Sequence, residues 1–219
     1  MRILIADDHL VVREGLKQIL SEELPVSEFG EAGTTQQTLE LLEQGKWDVL
    51  LLDVFMPGRS GLEVLAQIRG NYPELPVLVI SSAPEEQLAM RVLKTGASGY
   101  LNKQIAGEQL VQAVRKLFAG GKYVSEAITQ RLVATAGRVE QAAHELLSDR
   151  EFQVLHLIVR GKSLKEIGAE LALSVKTVST FHTRIWQKLG LRNDVELVRY
   201  AMENKLMEIS QSTELSAQV

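Results

Sequence analysis

Five polar residues in the first half of the chain have side chains suited to phosphate chemistry. Asp7, Asp8 and Asp53 carry carboxylates, Ser81 a hydroxyl group and Lys103 an ammonium group. Three carboxylates brought together would repel one another and raise their pKa values, so we expect a cation between them. A small oxygen-lined site that also admits phosphate favours Mg2+. One carboxylate could then attack phosphorus while the metal and Lys103 neutralise the incoming charge.

These side chains can act together only if the fold brings them to one place. In residues 1–120, five apolar runs typical of β-strands alternate with five segments that have apolar residues at helical spacing. The strand-like runs are 3–6, 26–29, 48–53, 76–81 and 97–101. Strands that alternate with helices predict a parallel sheet covered on both faces. The sequence therefore predicts a five-stranded, doubly wound α/β domain of the flavodoxin-like type.

The five polar residues all lie at the ends of predicted strands. Asp7 and Asp8 follow the first strand, Asp53 ends the third, Ser81 ends the fourth, and Lys103 lies just past the fifth. Open parallel sheets bind ligands beyond the carboxyl ends of their strands, so one edge should collect all five side chains. Any single aspartate is more simply explained as a cap of a helix or turn, but five matching positions favour a common site.

Asp53 is the natural nucleophile of this group. It is followed by Met56-Pro57-Gly58, a turn that would hold the loop open beside the carboxylate.

At these positions the chain resembles the receiver domain of two-component response regulators. The resemblance rests on ADD after the first strand, LLLDVFMPGRSGLEVL around the third, VLVISS at the fourth and GASGYLNK at the fifth, and covers roughly residues 2–119. It implies that a histidine kinase phosphorylates Asp53. It also implies that Asp8, Asp53 and the Phe55 backbone carbonyl bind Mg2+, with Asp7 helping through water.

The same resemblance gives roles to three further residues. Ser81, in place of the commoner threonine, would hydrogen-bond the phosphoryl group, and Lys103 would pair with it. Tyr100 would be the switch aromatic that turns inward on activation. From the sequence pattern alone, Tyr100 is better explained as an ordinary half-buried aromatic of a strand.

The charge of the chain is distributed unevenly. The net charge is −4 overall; residues 1–120 hold 11 basic and 16 acidic residues, whereas 146–206 hold 10 basic and 7 acidic ones. The stretch Ser174–Arg192 has four cations and no acid. An acidic half followed by a locally basic half suggests a regulatory module joined to one that binds a polyanion.

From Leu146 onward, every apolar cluster has helical spacing. The clusters at 150–159, 164–171, 175–189 and 194–204 predict four short helices. The residues suited to cap them are Ser148 and Asp149, Ser163, Ser174 and Asn193. The tight turn Ala172-Leu173-Ser174 before a basic helix is typical of a helix-turn-helix. A solvated helix in a small protein-binding bundle remains the alternative.

Residues of about 146–206 are similar to the LuxR-type DNA-binding domain of the NarL/FixJ response regulators. The resemblance rests on the stretches LSDREFQVL, GKSLKEIGAEL and LSVKTVSTFHTRIWQKLG. The resemblance implies that Ser179, Thr180 and Thr183 face the major groove of double-stranded DNA. It places five further residues near the phosphates: Lys165, Lys176, Thr177, Arg184 and Lys188.

The last predicted helix carries more apolar surface than one small module requires. In the family this helix pairs two DNA-binding domains, which implies a homodimer of the active protein. The residues concerned are Val195, Val198, Ala201 and Met202. Packing inside the monomer explains the same residues equally well.

The predicted organisation has four parts. Residues 1–120 form the receiver domain, 121–145 a linker with partial helix, 146–208 the all-α, four-helix DNA-binding domain and 209–219 a polar tail.

The absence of cysteine excludes disulfides, a thiol nucleophile and cysteine-based metal sites. No apolar run reaches the roughly 18–20 residues that span a bilayer. We therefore expect a cytoplasmic protein with no membrane partner.

The function predicted from these features is a transcriptional regulator controlled by phosphorylation, not an enzyme. One alternative is a stand-alone phosphoryl-transfer enzyme or phosphatase at the same acidic edge, which no separate base or substrate pocket supports. Another is a constitutive DNA-binding protein whose receiver acts by protein contacts alone. The complete set of Asp7, Asp8, Asp53, Ser81 and Lys103 argues against this second alternative.

Overall fold

A computed structural model describes residues 1–56, 59–83, 85–104, 107–126, 128–130, 143–204 and 206. The predicted turn at Met56-Pro57-Gly58 lies partly outside these residues, as does most of the predicted linker, and the polar tail lies wholly outside them. No described helix is long and apolar enough to cross a membrane.

The first part of the chain alternates strands and helices. In order, these elements are β1 (Arg2–Ala6), α1 (Leu10–Glu23), β2 (Glu28–Ala32), α2 (Thr35–Gln44), β3 (Val49–Leu52), α3 (Gly61–Asn71), β4 (Val77–Ser81), α4 (Glu85–Thr95), β5 (Gly99–Asn102) and α5 (Gly107–Phe118). The strands form one parallel sheet in the order β2-β1-β3-β4-β5. This confirms the predicted five-stranded, doubly wound α/β domain.

The inner strands β1, β3 and β4 are buried on both faces of the sheet. In β3, Val49 and Leu51 pack on the side of α1 and α5, whereas Leu50 and Leu52 belong to the core on the opposite side. Because successive side chains of a strand point to opposite faces, the apolar run of β3 serves both cores at once. All four side chains are at most 1% exposed.

Strand β2 lies further along the chain than the predicted run 26–29. Its ladder with β1 begins at the pair Arg2 and Glu28 and ends at Ala6 and Ala32. The prediction followed the apolar side chains of 26–29, but small residues continue the strand. Gly30 fits because a Cβ atom there would lie 2.4 Å from the ring of Trp47.

The second part of the chain is helical. After a 3₁₀ turn at Ala143–Leu146 come α6 (Asp149–Val159), α7 (Leu164–Glu170), α8 (Val175–Leu189) and α9 (Asp194–Glu203). Ser148, Ser163, Ser174 and Asn193 are the N-caps, and each side chain accepts a backbone hydrogen bond, whereas Asp149 is the first residue of α6. Ser148 and Ser163 form full capping boxes with Glu151 and Glu166. The four predicted helices are therefore confirmed.

Helices α7 and α8 form the predicted helix-turn-helix. Between them Ala172 has a positive φ of 53°, and the Leu173 amide donates to the Gly168 carbonyl at 2.8 Å. A Cβ atom on Gly168 would lie 2.8 Å from the Leu173 carbonyl oxygen, so the tight turn needs glycine at this position.

The described part of the linker and the second domain pack on the receiver. Tyr123 forms a parallel bridge with Gly99 of β5, and Ile128 is buried. The buried residues of the α3–α4 side of the sheet and those of α6–α9 form one continuous hydrophobic cluster. The described parts of both domains are thus held in one packed arrangement.

Candidate phosphoacceptor site and DNA-binding face

The carboxyl ends of β1, β3 and β5 bring the predicted acidic residues together. The Asp53 amide donates to the Ala6 carbonyl at 2.8 Å, so Asp53 continues the pairing of β3 with β1 into the loop. Asp7 and Asp53 are almost completely buried, at 2% and 4% exposure. Two residues from separate strands therefore share one small buried site.

Lys103 joins these two carboxylates. Its Nζ atom lies 2.6 Å from Oδ2 of Asp7 and 2.6 Å from Oδ2 of Asp53. Lys103 reaches them because its backbone amide donates to the Ser81 carbonyl, which fixes the residue beyond the end of β5. An ammonium group between two buried carboxylates offsets their mutual repulsion.

Burial dominates the electrostatics of this site. It raises the pKa of Asp53, and the nearby charge of Asp7 raises it further, while Lys103 opposes both effects. Burial works to lower the pKa of Lys103, but the carboxylates of Asp53 and Asp7 outweigh it and raise that pKa. Lys103 therefore keeps its charge. Further positive charge near Asp53 would lower the pKa of Asp53 and favour its ionised form.

The acidic edge also offers three carboxylates and one imidazole ring that could hold a cation. One ligand atom each from Asp7, Asp8, His9 and Asp53 lie within 4.8 Å of one another. Oδ1 of Asp8 is buried and makes no hydrogen bond in the described structure, although Nδ1 of His9 lies 2.9 Å away. A buried carboxylate oxygen with free lone pairs fits a hard divalent ion.

The residues directly after β3 pack closely against the first residue of α3. The Phe55 amide donates to Oδ1 of Asp53 at 2.8 Å, which closes a tight turn. Gly61 opens α3 beside this loop, and a Cβ atom there would lie 2.4 Å from the Cα atom of Val54. The loop can pack this closely only because position 61 has no side chain.

Ser81 and Tyr100 lie on the neighbouring strands. Ser81 is fully buried, and its Oγ accepts a hydrogen bond from the Ala83 amide at 3.1 Å. Tyr100 is 2% exposed and donates its hydroxyl proton to the Ala83 carbonyl. Both side chains therefore meet the same short segment after β4, and Tyr100 is turned inward in this structure.

Helix α8 presents the predicted DNA-reading residues to solvent. Ser179, Thr180 and Thr183 are exposed, and the two threonine hydroxyls donate to the carbonyls of Lys176 and Ser179. Val178, Ile185 and Leu189 are buried on the opposite side. The helix thus packs by one face and leaves a polar face with cations open.

The side chains predicted to bind phosphates differ in their exposure and in their contacts within the protein. Lys165, Lys176 and Arg184 are exposed, and Thr177 is half-buried beside the Ser174 cap. The ammonium group of Lys188 instead lies 2.7 Å from Oε2 of Glu151 in α6. The three exposed cations are therefore open to solvent, and Thr177 contacts only the helix cap. Lys188 instead links α8 to α6.

The residues predicted for dimerisation do not share one surface. Val195 is 80% exposed and Met202 is 46% exposed, but Ala201 is fully buried in the monomer and Val198 is half-buried. Val195 and Met202 are available to a partner, and Ala201 packs in the domain's own core. Elsewhere on α9, Tyr200 receives a hydrogen bond through its hydroxyl oxygen from the His144 amide at 3.2 Å.

Contacts between the two domains were not foreseen from the sequence. Arg91 of α4 donates to the carbonyl of Leu147 at 2.9 Å and pairs with Asp149 of α6. Gln153 of α6 donates to the carbonyl of Val54 at 2.9 Å, and His156 stacks on Phe55 with ring centroids 4.9 Å apart. One feature of the sequence could have indicated these contacts: the polar residues Gln153 and His156 interrupt the apolar run 152–159.

Comparison with known proteins gives a family for each of the two parts of the chain. Residues 3–115 match the family described as "Response regulator receiver domain", and residues 145–201 match "Bacterial regulatory proteins, luxR family". The oxygen regulatory protein NreC of Staphylococcus aureus is 38% identical over 216 residues, covering 95% of this chain and all of NreC. The response regulator GacA of Pseudomonas viridiflava is 34% identical over 212 residues, covering 96% of this chain and 99% of GacA.

Solved structures of RcsB from Salmonella typhimurium share the same two-domain fold. One RcsB structure aligns with a TM-score of 0.70 at 28% identity, covering 93% of this chain and 98% of RcsB. Another, bound to the promoter rprA with the phosphomimetic BeF3−, aligns with a TM-score of 0.65 at 27% identity, covering 92% and 98%. The family consists of transcription regulators rather than of typical enzymes. The chain belongs to the two-component response regulators of the NarL/FixJ family, which are DNA-binding regulators controlled by phosphorylation of a receiver domain.

Proposed function

We propose that Asp53 is the phosphoacceptor of this regulator and that a sensor histidine kinase supplies the phosphoryl group. The observation that carries the proposal is the contact of Lys103 with both Asp7 and Asp53, 2.6 Å from each. A buried carboxylate beside a fixed ammonium group and a second carboxylate is arranged for phosphoryl transfer rather than for helix capping. The positive charge meets the oxygens that become more negative as the transfer proceeds.

Asp8, Asp53 and the Phe55 carbonyl would hold Mg2+, with Asp7 assisting through a water molecule. When bound, the ion neutralises charge on the phosphoryl oxygens and favours the ionised form of Asp53. An Asp53 carboxylate oxygen forms a bond to phosphorus as the bond from phosphorus to the imidazole nitrogen of the kinase phosphohistidine breaks, and the kinase histidine leaves. Lys103 pairs with the phosphoryl group once it is attached. Ser81 gives up its contact with Ala83 to hydrogen-bond the same group, and Tyr100 responds through the shared segment after β4.

The output is binding of double-stranded promoter DNA by α8. Ser179, Thr180 and Thr183 reach the base edges of the major groove because short hydroxyl side chains allow the helix to approach closely. Cations and a capping threonine contact the backbone phosphates: Lys165, Lys176, Thr177 and Arg184, with a smaller contribution from Lys188, whose ammonium group already pairs with Glu151. The active form binds as a homodimer through α9, where Val195 and Met202 supply the exposed apolar surface. The protein is thus a regulator and not a stand-alone enzyme.

The test combines phosphorylation with DNA binding in the full chain. Acetyl phosphate with Mg2+ should add one phosphoryl group to the native protein and none to Asp53→Asn, as measured by intact-protein mass spectrometry. Asp48→Asn is the matched control, because Asp48 is exposed at the opposite end of β3 and should leave labelling unchanged. Labelling of Asp53→Asn at the native rate would exclude Asp53 as the acceptor.

DNA binding is then measured with the phosphorylated protein against fragments selected from random duplex DNA. Affinity should fall steeply as salt concentration rises, since lysine and arginine displace counterions from the phosphates. A phosphorylated protein that turns over phosphate rapidly and shows no salt-dependent binding to any duplex would favour the enzyme alternative.

A further inference from the structure

Helix α6 is buried all round, which a helix in a four-helix domain does not require by itself. All nine residues from Glu151 to Val159 are buried. They include two uncharged polar residues, Gln153 at 2% exposure and His156 at 6%. One side of α6 packs on α8 and α9 within its own domain, and the receiver covers another. The polar residues belong to this covered side.

The part of the receiver that α6 covers is the loop directly after Asp53. The side-chain amide of Gln153 donates to the Val54 carbonyl at 2.9 Å in a buried hydrogen bond. The ring of His156 stacks on Phe55, with centroids 4.9 Å apart and planes 16° from parallel. The two residues that follow the proposed phosphoacceptor are therefore both held by the DNA-binding domain.

This packing leaves the DNA-reading face of α8 open. Ser179, Thr180, Thr183 and Arg184 are exposed in the same packed arrangement. The receiver therefore does not act here by covering the residues that meet the bases. What the packing does restrict is the loop beside Asp53, whose side chain is only 4% exposed.

We propose that Gln153 is a positioning residue for the phosphorylation of Asp53: through its bond to Val54, the docked DNA-binding domain holds Val54 and Phe55 in place beside Asp53 and slows phosphoryl transfer. The inference rests on the proposed function of Asp53. In the reaction with acetyl phosphate, an Asp53 carboxylate oxygen forms a bond to phosphorus as the bond from phosphorus to the acetate oxygen breaks, and acetate leaves. Because the Asp53 side chain is only 4% exposed, acetyl phosphate reaches its oxygens when Val54 and Phe55 move away from it.

The size of the effect follows from the bond that is lost. A typical hydrogen bond contributes about 0.5–1.5 kcal/mol net, which corresponds to a change of about 2- to 12-fold in an equilibrium between docked and open loop. Removing the Gln153 amide also leaves the Val54 carbonyl without its buried donor, which further favours opening. The initial rate of phosphorylation should rise by a similar factor.

The experiment measures the initial rate of labelling by acetyl phosphate and Mg2+ in the full chain. Gln153→Ala should be labelled about 2- to 12-fold faster than the native protein. Gln109→Ala, a change of the same kind at an exposed position of α5, should be labelled at the native rate. General structural damage would slow labelling, so an increase separates a positioning role from a merely structural one.

A second variant guards against misfolding of the first. His156→Ala removes the ring that stacks on Phe55 and should also speed labelling, while circular dichroism reports whether each variant is folded. Equal rates in native protein, Gln153→Ala and His156→Ala would overturn the inference and leave the proposed function intact. A native protein that is not labelled at all, or is labelled equally in Asp53→Asn, would instead overturn the proposed function.

Discussion

The guanidinium group of Arg91 lies 3.1 Å from the carboxylate of Asp149 and thereby joins α4 of the receiver to the first turn of α6. The same side chain donates to the Leu147 carbonyl at 2.9 Å and lies over the Phe152 ring, 4.7 Å from its centroid. Since Arg91 is only 16% exposed, these contacts are shielded from solvent. Arg91 therefore holds the N-terminal end of α6 against α4 of the receiver.

Arg91→Ala should lower the free energy of unfolding by about 2–3 kcal/mol, because it leaves the partly buried Asp149 carboxylate and the carbonyls of His144 and Leu147 without their charged donor. Urea unfolding followed by circular dichroism measures the change. Arg199→Ala is the control, since Arg199 is 71% exposed and 4.0 Å from Glu203. Its effect should stay within about 0.5 kcal/mol. Equal losses in the two variants would contradict an anchoring role for Arg91.

The stability of the packed arrangement should depend on pH through His156. Burial, aided by the charge of Arg160, lowers the pKa of His156 to about 3. Its Nε2 atom is buried without a hydrogen-bond partner, so a proton there would have no acceptor. The unfolded chain takes up this proton below about pH 6.5, whereas the folded chain does not. Stability from this residue is therefore lost as pH falls from about 6.5 towards 3.

The native protein should lose about 1.4 kcal/mol more than His156→Phe between about pH 7.5 and pH 5.5, as the unfolded state of the native chain gains one proton. Phenylalanine can keep the stack on Phe55 but cannot titrate. Urea unfolding at the two pH values gives the difference directly. If both proteins lose the same free energy, protonation of His156 is not the cause.

Lys103 should compete with a divalent cation for the acidic edge. It contributes the positive charge closest to Asp7 and Asp53, at 2.6 Å from each. Lys103→Ala should therefore bind Mg2+ about tenfold more tightly or better, while phosphorylation by acetyl phosphate falls. Calorimetric titration with Mg2+ measures the affinity.

Lys122→Ala, at an exposed position after α5, controls for the loss of one charge from the chain. Its Mg2+ affinity should match that of the native protein. Weaker Mg2+ binding by Lys103→Ala than by this control would show that Lys103 supports the cation rather than competes with it.

The sequence was sufficient to predict the elements and the acidic edge, because both follow from local patterns. The apolar run of β3 and the caps at Ser148 and Ser163 are signals within a few residues, and the rule for strand ends then places Asp53 and Lys103 together. β2 was placed too early because Gly30 and Ala32, which continue it, carry little hydrophobic signal.

The contacts between domains could not be predicted in the same way. Arg91 and Asp149, or Val54 and Gln153, are far apart in the chain, and no periodicity connects them. The conformation of the segment after β4, where Tyr100 and Ser81 both meet Ala83, is also a matter of tertiary packing. Pattern rules give which face of an element is apolar, but they do not say which partner covers it.

Arg184 and Lys188 should differ in their contribution to DNA binding, although both lie on α8 and are exposed. The Lys188 ammonium group is 2.7 Å from Oε2 of Glu151 and 3.2 Å from the Leu146 carbonyl, so its charge is already partly neutralised. Each phosphate contact adds about 0.9 to the slope of log affinity against log salt. Arg184→Ala should reduce this slope by about that amount, and Lys188→Ala by clearly less.

The measurement is a salt titration of binding by the full phosphorylated chain to one selected duplex, with both variants in parallel. Lys188→Ala should instead lower the free energy of unfolding by about 1–2 kcal/mol, because Glu151 is buried and loses its cation. Arg184→Ala should leave stability within about 0.5 kcal/mol of the native value, as expected for an exposed side chain. If Lys188→Ala reduced the salt slope as much as Arg184→Ala, the pair with Glu151 would have to open on DNA, and Lys188 would be a phosphate contact in the complex.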